Sequence, residues 1–224
     1  MILMHEIFEK PLSFVDNLAV LVIESSKHFS MYLDILNQQI NNLSNEFVFY
    51  DDSGNDITIN NRNTIILFDY INLTLNDKKI LTKVYKNMEK DFSYDNLDID
   101  IIKNLEILSL KISELLTNTT LPLNVTNDPS ICELFSLFRI AFDDNFESVL
   151  ERIVNYLDIV SQLSLYKLII FVNLSTYISI EEFELLKSHI MNQNISVLLF
   201  ENKGDLTNSE NTVIIDKDLC RIYI

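Results

Sequence analysis

Glycine is nearly missing from this chain, with two in 224 residues. A phosphate-binding loop needs glycines so that backbone N–H groups can approach the oxygens. The turn where one would be expected, "ESSKHFS" after the first strong apolar run, offers Lys27 and no glycine. Neither ATP hydrolysis nor a bound nucleotide is therefore expected. Cysteine is as scarce: Cys132 and Cys220 stand 88 positions apart, and neither has metal-ligand spacing to a histidine. That argues against a zinc site and fits reduced thiols in a cytoplasm. The three histidines, His5, His28 and His189, are scattered, and no serine or cysteine nucleophile pattern is present. No apolar run nears the ~18 residues of a membrane helix. The start, "MILMHEIFEKP", lacks the basic lead and long apolar core of a secretory signal, so a cytoplasmic location away from membranes is expected. Basic residues are outnumbered 17 to 33, for a net charge of −16. Such a surface repels phosphate, so any nucleic-acid contact must be local.

What is abundant is apolar: 48% of residues, enough for a sizeable core. In "YKLIIFVNLSTYISIEEFELLKSHIMNQNISVLLFE", residues 166–201, the runs "LIIFV" and "VLLF" read as strands buried on both faces. Ser179 and Glu182 open the helix between them as a capping box, and Phe183, Leu186 and Ile190 give it one apolar stripe. The segment is a β-α-β unit. "NLAVLVIESSKHFSMYLDILNQQI" reads as strand then helix, "EFVFYDDSGNDITI" as a hairpin turning at Ser53 and Gly54, and "NTIILFDYINL" as another buried strand. "NTVIID" and "RIYI" extend the sheet at the end of the chain.

Between them the sheet signal stops. Helices are expected over 77–92, 97–117, 130–142 and 145–164, with breaks at Pro122 and Pro129. On 97–117 the stripe Ile101, Leu105, Leu108, Ile112, Leu115 is widened by Ile102, Ile107 and Leu110. That exceeds what a helix with one neighbour needs, so it is buried in a bundle or against another subunit. The fold class expected is α/β, with a head over 1–95 and 166–224 and a helical leg inserted over 96–165.

Two constellations could carry function. Glu24, Asp69, Asn173 and Glu201 end four expected strands, where an open α/β sheet places its ligand crevice; they could hold a divalent cation or simply cap loops. On helix 77–92, Leu81, Val84, Met88 and Phe92 form an apolar stripe. Lys79, Lys83, Lys86 and Lys90 recur about 200° away. With Lys78, five of the 17 basic residues fall here, a row that could track a phosphate backbone or merely be solvated.

Taken together, "AVLVIESSKHFS", "TIILFDYINL" and residues 167–201, through "IFVN" and the closing "LLFE", resemble the short form of the type II-A CRISPR adaptation protein, the Csn-two family. The resemblance implies a head related to phosphate-loop ATPases that has lost the phosphate loop, with an inserted helical leg. It implies no catalysis of the protein's own. It implies a homotetrameric ring that encircles double-stranded DNA from free ends during spacer acquisition, beside the CRISPR integrase complex and the guide-RNA nuclease. The residues expected at the DNA are Lys78, Lys79, Lys83, Lys86, Lys90 and Lys27; should the stripe be mere surface, contacts fall to Lys27, Arg62 or Arg139. The resemblance also implies structural calcium on an acidic segment between leg helices. The matching stretch, "LPLNVTNDPSICELF", keeps only Asp128 and Glu133 as acids. A hard cation takes six to eight oxygens, so Asn124, Asn127, backbone carbonyls or a neighbouring subunit would have to supply the rest. The rival readings are a metal-dependent nuclease using Glu24, Asp69 and Glu201, and a structural scaffold whose leg recruits protein partners.

Overall fold

The computed structural model describes residues 1–91, 99–125, 130–204 and 211–224. Phe92, the 95/96 division, the start of the helix expected from 97, and Asn127, Asp128 and Pro129 lie outside the described residues. The chain forms two compact units, 1–75 with 144–224, and 76–143.

The first unit is an α/β domain. Its strands are β1 (Ile2–Met4), β2 (Leu12–Ser13), β3 (Leu18–Ile23), β4 (Val48–Tyr50), β5 (Asp56–Ile57), β6 (Thr64–Leu67), β7 (Leu168–Val172), β8 (Ser196–Glu201), β9 (Thr212–Ile215) and β10 (Arg221–Tyr223). Its helices are α1 (Ser26–Ile40), α5 (Val149–Gln162) and α6 (Ile180–Ile190). The second unit holds α2 (Lys78–Asp91), α3 (Ile99–Thr117) and α4 (Ile131–Leu137). No helix among the described residues is long and apolar enough to cross a membrane.

A six-stranded sheet runs β10-β9-β3-β8-β7-β6; β9, β3, β8, β7 and β6 are parallel, and β10 closes the edge antiparallel. The two longest strands are buried nearly end to end, and β7 wholly. This is why their sequences read as unbroken apolar runs. The chain crosses from β3 to β6 in one direction along the sheet and returns from β7 to β8 in the other. With right-handed crossovers, α1 and α6 must then lie on opposite faces. Leu36 and Ile40 of α1 accordingly join Leu21, Ile23, Leu198 and Phe200 in one cluster. The alternate residues point the other way, to the face of α6, whose Phe183, Leu186 and Ile190 are buried. The capping box of α6 forms as expected, Ser179 Oγ accepting from Glu182 N at 3.2 Å and Glu182 Oε2 from Ser179 N at 2.8 Å.

A second, antiparallel sheet, β2-β1-β4-β5, joins the α1 side of the core. Sequence reading finds its β4–β5 hairpin, where Gly54 adopts φ +81° and Asp51 Oδ1 receives the N–H groups of Ser53 and Asn55 at 2.9 and 2.8 Å. It misses β1 and β2. The sheet is tied to α1 by one buried amide: Gln39 Nε2 donates to Phe47 O at 2.5 Å, and Gln39 Oε1 receives Phe47 N–H at 3.0 Å.

The division of the chain differs from the expected 96 and 165. Helix α5 belongs with the sheet, because Ile153, Tyr156, Leu157 and Val160 make a complete buried stripe. Helix α2 buries only Ile80 and falls with α3 and α4. Helix α4 stops at Leu137, short of the expected 142.

His5 makes the first unit sensitive to acid. It is buried, stacked on Phe47 at 4.2 Å, and its Nδ1 accepts the Ile7 N–H at 3.0 Å. Its Nε2 has no hydrogen-bond partner, the Glu46 carboxylate standing 3.9 Å away. Burial outweighs the pull of Glu46 and holds its pKa below 6.5. The unfolded chain thus takes up the proton first. Stability is fully present above pH 6.5 and declines as pH falls below it, towards the folded pKa. His5→Asn, which keeps an acceptor for Ile7, is expected to be less stable at neutral pH. Its urea midpoint should nonetheless drop less than the parent's between pH 7 and 5.

Candidate nucleic-acid interface

Helix α2 begins at an aspartate cap: Asp77 Oδ1 receives the Lys79 N–H at 2.7 Å, satisfying one donor that the first turn leaves free. At 100° per residue, Lys79, Lys83, Lys86 and Lys90 fall within about 60° of arc. Lys86 and Lys90 are exposed, and Lys79 and Lys83 half-buried. Burial pulls the Lys79 pKa below its usual value, against the opposing pull of Asp77. Lys78 is exposed and lies about 100° off the row, so it belongs to another face. On the opposite side Leu81, Val84 and Met88 are half-buried, while the fully buried residue is Ile80. Lys27 is exposed in the first turn of α1, in the other unit.

What orients the stripe is a set of contacts that sequence reading missed. The two ends of the second unit are clasped by one amide: Asn76 Oδ1 receives Phe142 N–H at 2.8 Å, and Asn76 Nδ2 donates to Phe142 O at 3.1 Å. Farther along, the Tyr85 hydroxyl donates to Ile140 O at 2.5 Å, and its ring meets Phe135 at 5.8 Å. Cys132 Sγ donates to Glu89 Oε2 at 3.4 Å. Tyr85 and Glu89 are four residues apart and share a face, so these bonds fix the rotation of α2 about its axis. The available signal was a tyrosine at that spacing from a glutamate in a lysine-rich helix, but nothing marked residues 138–142 as the partner.

The strand-end residues do not converge. Glu24, Glu201, Asn173 and Asp69 lie at or just past the ends of β3, β8, β7 and β6, neighbours in that order. At about 4.8 Å per strand the outer two are some 14 Å apart, too far to share an ion. Asp69, Asn173 and Glu201 are each engaged locally. Asp69 Oδ1 receives the Ile71 and Asn72 N–H groups and Oδ2 the Asn72 amide, and these bonds, the Asn72 side chain first, hold its pKa below the usual carboxylate range. Asn173, left-handed at φ 53°, receives Asn202 N–H at 2.9 Å. Glu201 is fully buried and receives the Ser175 hydroxyl at 2.6 Å. Among the described residues no three His, Cys, Asp or Glu side chains form a metal-binding group. The calcium expected near Glu133 fits no better: that carboxylate receives Ser130 N–H at 2.7 Å in a capping box, which holds its pKa low. Asp128 lies outside the described residues.

Among the described residues of the second unit, α3 carries the largest set of exposed apolar side chains, with Ile101, Ile107, Leu108, Leu110, Ile112 and Leu115 40 to 68% exposed. The surplus read from the sequence is thus left uncovered by the described residues of its own unit.

Comparison with known proteins gives three results. The model of the family described as CRISPR-associated protein (Cas_Csn2) matches residues 39–219. No curated protein matches. Among solved structures, the crystal structure of Stu0660 of Streptococcus thermophilus is similar, with a TM-score of 0.60 and 14% identity over 100% of this chain and 76% of that one. At that identity the likeness is one of fold.

Asn76→Ala removes both bonds of the clasp and leaves the Phe142 backbone unpaired. It is expected to lower unfolding free energy by about 1–3 kcal/mol, read from urea denaturation, with the Tyr85→Phe loss smaller.

Proposed function

This chain belongs to the CRISPR-associated Csn2 family, and we propose that it is a non-catalytic double-stranded-DNA-binding protein of spacer acquisition. In this reading it assembles as a ring-shaped homotetramer, loads on free DNA ends, and works beside the CRISPR integrase complex and the guide-RNA nuclease. The observation that carries the DNA reading is the lysine row of α2 in a chain of net charge −16. From Lys79 to Lys90 the row extends about 16 Å, the span of roughly five phosphates along one strand. Contacts of this kind position a duplex without reading its sequence. Support for assembly comes from α3, whose exposed apolar face is of the kind that closed symmetric oligomers bury. Support for a non-catalytic role comes from the strand ends, whose carboxylates are spread over neighbouring strands, with those of Asp69 and Glu201 engaged in local bonds. Calcium has no part in the proposal beyond a structural ion whose oxygens come mostly from elsewhere than Glu133.

Binding to linear duplex DNA is expected to be indifferent to sequence and to weaken with salt, log K falling by about 0.9 per phosphate neutralised. The double variant Lys83→Glu, Lys86→Glu should lose most of this affinity in a gel shift while keeping its fold and molar mass. Sealed circular DNA should bind far worse than the same DNA linearised. Parent-like binding by the double variant would remove α2 from the interface.

Light scattering at micromolar concentration should give about 104 kDa, four chains of 26.1 kDa. A monomer at low and moderate salt, with and without calcium, would rule the ring out.

A further inference from the structure

Helix α4 ends on a residue its backbone does not favour. After the cap Phe138, Arg139 adopts the left-handed conformation at φ 51°. Its N–H then reaches Ser136 O at 3.1 Å, and the Ile140 N–H reaches back to Phe135 O at 3.0 Å. This paired closure ordinarily takes glycine or asparagine at the left-handed position, because a Cβ there crowds the next carbonyl. The other left-handed residues with side chains are Asp16, Asn17, Asn42, Ser164, Asn173 and Leu219; Arg139 is the one cation among those described. Its side chain is exposed and has no ion pair or hydrogen bond with a described residue. A cation does favour a helix C-terminus. An arginine at Ser136, in the same last turn, would supply that without left-handed backbone. The fold alone therefore gives no reason for arginine here.

Its place in the unit does. Ile140, the next residue, is held by the Tyr85 hydroxyl, so Arg139 lies beside the third turn of α2, where Lys83 and Lys86 bracket that tyrosine. Seven residues separate Lys78 from Tyr85, which puts the two within about 20° on one face of α2. Lys78 and Arg139 therefore flank the lysine row on its Tyr85 side. We propose that Arg139 contacts phosphate of duplex DNA, and that with Lys78 it widens the basic surface of this unit from a row to a band. This rests on the reading that α2 meets DNA, and it adds a contact from outside that helix. The guanidinium suits the task, since it can present two parallel N–H donors to one phosphate.

The test compares the full-length parent with Arg139→Gly, Arg139→Asn, Arg139→Lys and the Lys83→Glu, Lys86→Glu pair, on a short linear duplex. Glycine relieves the backbone, so Arg139→Gly is expected to melt at or above the parent's temperature. It should nonetheless bind DNA roughly eightfold more weakly at 0.1 M salt for each phosphate left unneutralised, with the salt slope reduced by about 0.9. Arg139→Asn should behave likewise, and Arg139→Lys should keep most of the affinity. If both neutral variants bind as the parent does while the lysine pair loses binding, the proposal fails and the α2 reading stands. If the neutral variants lose melting temperature in step with affinity, Arg139 is a structural cap and the proposal fails. If the lysine pair binds normally while the neutral variants are weakened at full stability, Arg139 stands and the α2 reading falls.

Discussion

Strands β3, β8 and β7 are buried on both faces, and a sheet of that kind can be covered only if the chain crosses over each face in turn. Helix α1 covers one side, and the crossover of α6 from β7 to β8 covers the other. A fully buried side chain such as Phe200 or Leu198 contributes about 1.5–3 kcal/mol, so the middle of the sheet is where stability accumulates. The second unit enters the chain between β6 and β7, the two strands at the far edge. Leu75 N–H and the Thr74 hydroxyl both donate to Asp144, which closes the first unit where the insertion leaves it. The buried cluster on the α1 side of the sheet includes no residue of the segment that carries the lysines.

The elements most legible in the sequence were those whose local chemistry and burial agree. The buried strands, the Ser179–Glu182 cap and the Gly54 hairpin were all readable, because an apolar run, a capping pair or a lone glycine is compatible with few local structures. The first strands were not, since β2 has two residues and β1 three, too short for alternation to register. Helix α5 was assigned to the wrong unit for a different reason: its stripe is ordinary, and a sequence does not say what a stripe faces. The lysine row of α2 was visible as spacing. The Asn76, Tyr85 and Glu89 bonds that set its direction reach 43 to 66 positions along the chain, and no local pattern encodes them.

Strand-end carboxylates in a parallel sheet invite a catalytic reading, which turns on how closely they approach one another. Spread over four neighbouring strands, the groups are close to their own loops and far from one another. Asp69 orders the turn after β6, and Asn173 bonds to the loop after β8, whose Asn202 side chain in turn donates to Ile23 O at 2.8 Å. Side-chain amides thus link the ends of β3, β7 and β8 at the edge that holds a ligand in many sheets of this type. The same device recurs at Gln39 with Phe47 and at Asn76 with Phe142, each amide giving and receiving one bond with a backbone that has left regular structure.

The Asn76–Phe142 clasp brings together residues that enclose nearly the whole inserted segment. For a chain loop pinned at its base, the entropy of closure grows only with the logarithm of length, about 0.6 kcal/mol for each doubling. Residues could therefore be gained or lost between α2 and α4 at little thermodynamic cost, provided the amide and its partner backbone remain. The insertion is in this sense a length-tolerant module, and its reach could be retuned over evolutionary time without renegotiating the sheet that carries it.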